Sequence, residues 1–78
     1  MKKWIITIWL MKNKVYQYYE EYPNELSLKN QISRKLRDHR GLWVPTPYDK
    51  DINMVWINRD FIQNINVQED LTHEDQGN

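Results

Sequence analysis

The chain has 78 residues, no cysteine, and 11 basic against 11 acidic side chains; 40% of it is hydrophobic and 13% aromatic. That length builds one small core, which excludes a two-domain organisation, and the absence of cysteine excludes disulfides or thiolate-bound metal as a substitute for core size. A net charge of zero argues against a generic polyanion binder, yet the charge is unevenly placed. Residues 1–19 hold four lysines and no acid, whereas the last ten hold four acids and no Lys or Arg, so the preceding 68 residues carry +4.

Met1-Lys2-Lys3 followed by the apolar run Trp4 to Met11 imitates a secretory signal. The run is too short, no small-residue cleavage site follows it, and Lys12-Asn13-Lys14 interrupts it. No stretch approaches the ~20 apolar residues of a membrane span. The expected setting is therefore cytoplasmic, with no membrane partner.

Residues 3–11 are β-branched and aromatic, with Trp4, Ile6, Ile8 and Leu10 on one face of an extended strand and Ile5, Thr7, Trp9 and Met11 on the other. A strand apolar on both faces is expected at the centre of a sheet covered on both sides. Lys12-Asn13-Lys14 supplies a turn, and Val15 to Tyr22 completes a β-hairpin.

Pro23-Asn24 ends the second strand, and Asn24 or Ser27 caps a helix over about 25–39 whose stripe is Leu28, Ile32 and Leu36. Gly41, after the basic residues Arg37 and Arg40, has the chemistry of a helix C-terminus. Pro45 and Pro47 make residues 42–48 an extended connection or an edge segment. Tyr48 to Asp51 is a turn, Ile52 to Asn58 a third strand, Asn58 to Asp60 another turn, and Phe61 to Gln68 a fourth strand.

The expected fold is α+β: a two-layer sandwich of one four-stranded antiparallel sheet and one helix in the order β-β-α-β-β. It comprises a single domain over 1–68 and a disordered acidic tail over 69–78. One helix cannot cover both faces of such a sheet. An aromatic second face, drawn from Trp9, Met11, Tyr16, Tyr18 and Trp56, is left for a second copy, giving a homodimer, or for a target.

Catalytic chemistry finds little support in the residues. The two histidines, His39 and His73, share no ligand spacing, and Asp49-Lys50-Asp51 lacks the glycine and later glutamate of a calcium loop. Ser27 and Ser33 fall in or beside the helix, and Ser27 is most simply a cap or first-turn residue. Glu20 and Glu21 are strand neighbours that point to opposite faces and so form no acid–base pair. No enzyme activity, metal or cofactor is expected.

Binding chemistry is better supplied. Arg34 and Arg37 lie opposite the apolar stripe of the helix, and Tyr16, Tyr18 and Trp43 are available for stacking, which suits a single-stranded nucleic acid. A dimeric nucleotide binder would use the same residue types, although no spacing demands it. A solvated basic helix face is the plain alternative to both. Trp, Tyr and Arg are also the residues that dominate protein interfaces, and their concentration in a chain without a catalytic set favours a protein partner.

The segment Val55-Trp56-Ile57-Asn58-Arg59-Asp60-Phe61-Ile62 resembles the strand-turn-strand of many small proteins of phages and mobile elements from AT-rich Gram-positive bacteria. The resemblance covers about a tenth of the chain and carries over no functional residue. It implies a stand-alone accessory or inhibitor protein that binds a host or defence protein stoichiometrically. The residues expected to contact the partner are Trp9, Tyr16, Tyr18, Arg34, Arg37, Trp43 and Tyr48.

Overall fold

The first strand organises the rest of the chain. In the computed structural model, which describes residues 1–45 and 54–71, β1 (Lys2–Leu10) pairs antiparallel with β2 (Val15–Tyr22) on one side and β5 (Ile62–Glu69) on the other. Between them in sequence lie α1 (Glu25–His39), β3 (Gly41–Val44) and β4 (Val55–Asn58), with single 3-10 turns at Met11–Asn13 and Arg59–Phe61. The fold is α+β, with one helix, a three-stranded sheet in the order β2-β1-β5 and a separate two-stranded ribbon, β3-β4. The single four-stranded sheet expected from the sequence is thereby corrected. Gly41 to Val44 precede Pro45 and keep every backbone donor, so of the two readings, connection or edge segment, these four residues take the second and pair with β4.

Alternation along β1 sets the core. Trp4, Ile6 and Ile8 are buried, and the register places Tyr18 and Val67 beside Ile6, and Tyr16 and Ile65 beside Ile8. Leu28 and Ile32 of α1 and Leu42, Val44 and Ile57 of the ribbon join the same buried cluster. The ribbon thus does the work of a second helix over the inner face of the sheet. The Trp4 indole N–H donates to the Tyr22 carbonyl at 3.0 Å, so the largest core side chain leaves no polar atom unpaired.

The opposite face of the sheet is open rather than covered. Ile5, Thr7 and Trp9 are flanked there by Val15, Gln17 and Tyr19 on β2 and by Asn64, Asn66 and Gln68 on β5. This face is rich in amides, and its aromatic content differs from expectation. Pairing of Trp9 with Val15 turns Tyr16 and Tyr18 inward, so neither lies beside Trp9.

Local chemistry explains the helix boundaries. Asn24 is extended (φ −155°), and its Oδ1 accepts the Ser27 N–H at 2.8 Å. At the far end the left-handed residue is Arg40 (φ 61°), not Gly41. Gly41 serves another purpose: a Cβ there would collide with the Trp56 indole and the Ile57 carbonyl. The Arg59 N–H then donates to the Arg40 carbonyl at 2.8 Å, tying the end of the ribbon to the end of the helix.

The first two residues of the stretch expected as a tail are paired. Glu69 ends β5 opposite Trp4, and the Asp70 N–H donates to the Lys3 carbonyl at 2.9 Å, so backbone pairing holds both residues to β1. Residues 72–78, the turn at 48–51 and Ile52 lie outside the described residues. No helix among the described residues is long and apolar enough to cross a membrane.

Candidate functional site

The ribbon presents its aromatic side to solvent. Leu42, Val44, Val55 and Ile57 point to the core, which by alternation turns Trp43 and Trp56 outward as a directly opposed cross-strand pair. Their ring centroids lie 5.2 Å apart with planes inclined at 58°, a favourable tilted contact. Even so, Trp43 is 60% exposed and Trp56 40%. Gly41 makes the arrangement possible by letting the Trp56 indole lie against bare backbone.

Next to this pair a groove of about 290 Å³ opens between the β1–β2 turn and the β4–β5 connection. Its less exposed lining consists of Leu10, Tyr16 and Ile57; Met11, Trp56 and Phe61 add exposed apolar surface, and Lys12, Lys14 and Asn58 supply polar groups. No carboxylate among the described residues lines it. Neither lysine takes part in an ion pair among the described residues. Lys12 has a left-handed backbone (φ 66°) and is followed by Asn13 at φ 62°. Asparagine tolerates that region, whereas a lysine there costs about 1 kcal/mol. A strained cation thus stands at the mouth of an apolar groove, a kind of position where strain is often kept for function.

A second, smaller cavity of about 150 Å³ includes Tyr18, Glu20, Gln31, Lys35 and Trp43 in its lining. Glu20 faces inward opposite Trp4, and partial burial raises its carboxyl above the usual carboxylate range against the opposing pull of Lys35. Burial also raises the Tyr18 phenol well above its ordinary value, with the Glu20 charge adding to the effect. The Gln31 Oε1 is buried nearby without a partner.

The residues expected at the site are therefore dispersed. Tyr16 joins Trp56 in the groove, and Trp43 makes its tilted contact with Trp56 at the side. Tyr18 is directed inward, and Trp9 belongs to the open sheet face. Arg34 and Arg37 are exposed on α1 and line none of these cavities. Arg37 Nε donates to Asp38 Oδ1 at 3.0 Å, which holds the Asp38 carboxyl below its usual range. Tyr48 lies outside the described residues.

Lys12, Lys14 and Phe61 were not among the expected contacts. Their signal was faint, since two lysines around an asparagine read simply as a turn, and Phe61 read as the start of a strand. Only the pairing of β1 with β5 brings Phe61 to the same end of the molecule as Met11.

Among the described residues no three His, Cys, Asp or Glu side chains cluster so as to hold a metal ion. No family model, curated protein or solved structure matches the chain.

Proposed function

We propose that the chain is a non-enzymatic protein-binding module whose contact surface is the Trp43–Trp56 pair together with the adjoining groove. The exposed tryptophan pair carries this reading. Two large aromatics held in contact on a rigid ribbon lose little side-chain entropy on binding, and Trp is the residue most enriched among interface hot spots. Met11 (54% exposed), Met54 (45%) and Phe61 (58%) extend the apolar area, and Lys12 and Lys14 place positive charge at its margin. The likeness of residues 55–62 to a segment of small phage and mobile-element proteins extends the proposal to a stoichiometric inhibitor of a host or defence protein, although β4 and β5 pair with other strands and not with each other.

The groove's combination of lysines with Tyr16, Trp56 and Phe61 also favours a second reading, a single-stranded nucleic acid with bases stacked on the rings. One experiment separates the two. Tagged wild-type chain and a Trp43→Ala/Trp56→Ala variant, both checked for folding by circular dichroism, are incubated with lysate of an AT-rich Gram-positive bacterium, with and without nuclease. The proposal expects a nuclease-resistant protein that the wild type retains and the variant loses. Retained material that vanishes with nuclease establishes the nucleic-acid reading, and retention unchanged by the double substitution removes this surface from consideration.

A further inference from the structure

We propose that the free edge of β5 pairs with β5 of a second copy of this chain, antiparallel about a two-fold axis at Asn66, joining two three-stranded sheets into one of six strands. Among the described residues β5 pairs only with β1, so its other side is an edge. The Asp70 N–H bonds to the Lys3 carbonyl at 2.9 Å. In an antiparallel ladder the bonding direction alternates, which turns the backbone groups of Gln68, Asn66 and Asn64 toward β1 and those of Ile65, Val67 and Glu69 outward. Consistent with this, the Ile65 N–H finds a side-chain acceptor, Asn64 Oδ1, at 2.9 Å.

The sheet's two edges differ in how they are protected. β2 carries Glu20 and Glu21 and runs into Pro23, all features that discourage pairing. β5 has no charge, proline or glycine from Ile62 to Gln68. Beside it, between β5 and α1, an apolar groove of about 210 Å³ is lined by Ile32, Leu36, Ile65 and Val67, with Lys29 and Ser33 at its polar side. Lys29 is already paired with Glu25 at 3.0 Å. The inner apolar layer of the sheet therefore runs out to the edge without being fully covered.

A second copy fits because the strand is self-complementary about Asn66. Ile65 then stands opposite the partner's Val67 and Val67 opposite the partner's Ile65, so each pair exchanges the outward backbone bonds and four β-branched side chains meet across the axis. On the outer side Asn66 meets its own copy and Asn64 meets Gln68, amide against amide. Glu69 falls at the level of Gln63, the extra residue where the β5 register shifts between Asn64 and Ile62, and no like charges oppose each other. Moving the axis to Ile65 sets Val67 against Gln63, and moving it to Val67 sets Ile65 against Glu69. In the complex Asn64 releases the Ile65 N–H to a backbone carbonyl and turns its amide to Gln68.

Because the chain has no cysteine, the axis can be tested by single-site cross-linking. Asn66→Cys places one thiol at the proposed axis, at a separation a disulfide can span. Gln17→Cys, exposed on the β2 edge, is the comparison. Sedimentation equilibrium of the wild type into the millimolar range is expected to give about twice the 9.7 kDa chain mass. Mild oxidation is expected to cross-link most of the Asn66→Cys protein and little of the Gln17→Cys protein, with Asn66→Ser behaving as wild type. A wild-type monomer at millimolar concentration overturns the proposal, as does a dimer that cross-links through Gln17 or through neither site. The surface is separate from the tryptophan pair, so either outcome leaves the protein-binding reading to its own test.

Discussion

Trp4 and the Trp43–Trp56 pair use the same side chain in opposite ways. Trp4 is 4% exposed, with its indole N–H bonded to the Tyr22 carbonyl. Trp43 is 60% exposed, with its ring against that of its cross-strand neighbour. A small chain with a thin stability margin gains much from the first arrangement and little from the second. Aromatic surplus, set apart from aromatic core by burial and by the satisfaction of the indole N–H, is what marks the ribbon as a surface for contact.

Truncation at each position gives the sharpest form of this contrast. Trp4→Ala is expected to cost about 3–5 kcal/mol, enough to unfold much of the population, because it empties the middle of the core. Trp43→Ala removes only an exposed edge-type contact, worth about 0.5–1.5 kcal/mol. Urea unfolding followed by circular dichroism measures both. Equal losses at the two sites would make Trp43 part of the core and would undo the contrast.

Gly41→Ala probes the support beneath the exposed pair. The new methyl meets the Trp56 indole and the Ile57 carbonyl, and an overpacked position of this kind typically loses about 1–3 kcal/mol. Adding Trp56→Leu should restore only part of the stability, since the carbonyl stays in place. Full recovery would show that the ring alone requires a glycine at this position.

A smaller effect distinguishes the two strained basic residues. Lys12 (φ 66°) borders the groove, and Arg40 (φ 61°) ends the helix. Replacing either with glycine relieves left-handed strain, offset in part by the greater freedom of glycine in the unfolded chain, for a net gain of up to about 1 kcal/mol. Arg40→Gly is expected to raise the melting temperature and leave partner binding intact, whereas Lys12→Gly is expected to raise it and weaken binding. Unchanged binding by Lys12→Gly would remove that lysine from the contact surface.

The sequence disclosed the core more readily than the surface. The period-2 pattern of β1 and the Asn24 cap each rest on neighbouring residues, and the buried faces and the helix over 25–39 follow from them. Whether Tyr16 or Val15 faces inward depends instead on the number of residues in the turn, and one residue reverses the answer. The prolines beyond Val44 drew attention away from a four-residue strand just before them. Gly41 looked like a helix terminator because the indole it accommodates lies on a distant strand. The groove was legible only as scattered parts, since Met11, Lys12, Trp56 and Phe61 come together through pairings that no local pattern specifies.

Glu20 lies between the packed and the exposed regions, inward on the sheet yet lining a cavity that reaches Trp43, and it offers the smallest and most conditional test. Partial burial raises its folded-state pKa above the unfolded value, with Lys35 opposing the shift. Over a window just above the ordinary carboxylate range, the folded chain therefore holds more protons than the unfolded chain. Stability contributed at this residue falls as pH rises through that window and stays lower at neutral pH. Glu20→Gln removes the penalty, so the variant should melt higher than wild type at neutral pH, with the difference closing as the pH drops below the usual carboxylate pKa. Removing the opposing charge with Lys35→Gln should widen the wild-type penalty, and this second substitution separates burial from ion pairing as its cause. If instead the glutamine variant melts lower at neutral pH, attraction to Lys35 outweighs desolvation, and the inner edge of this cavity is held together by charge rather than by packing.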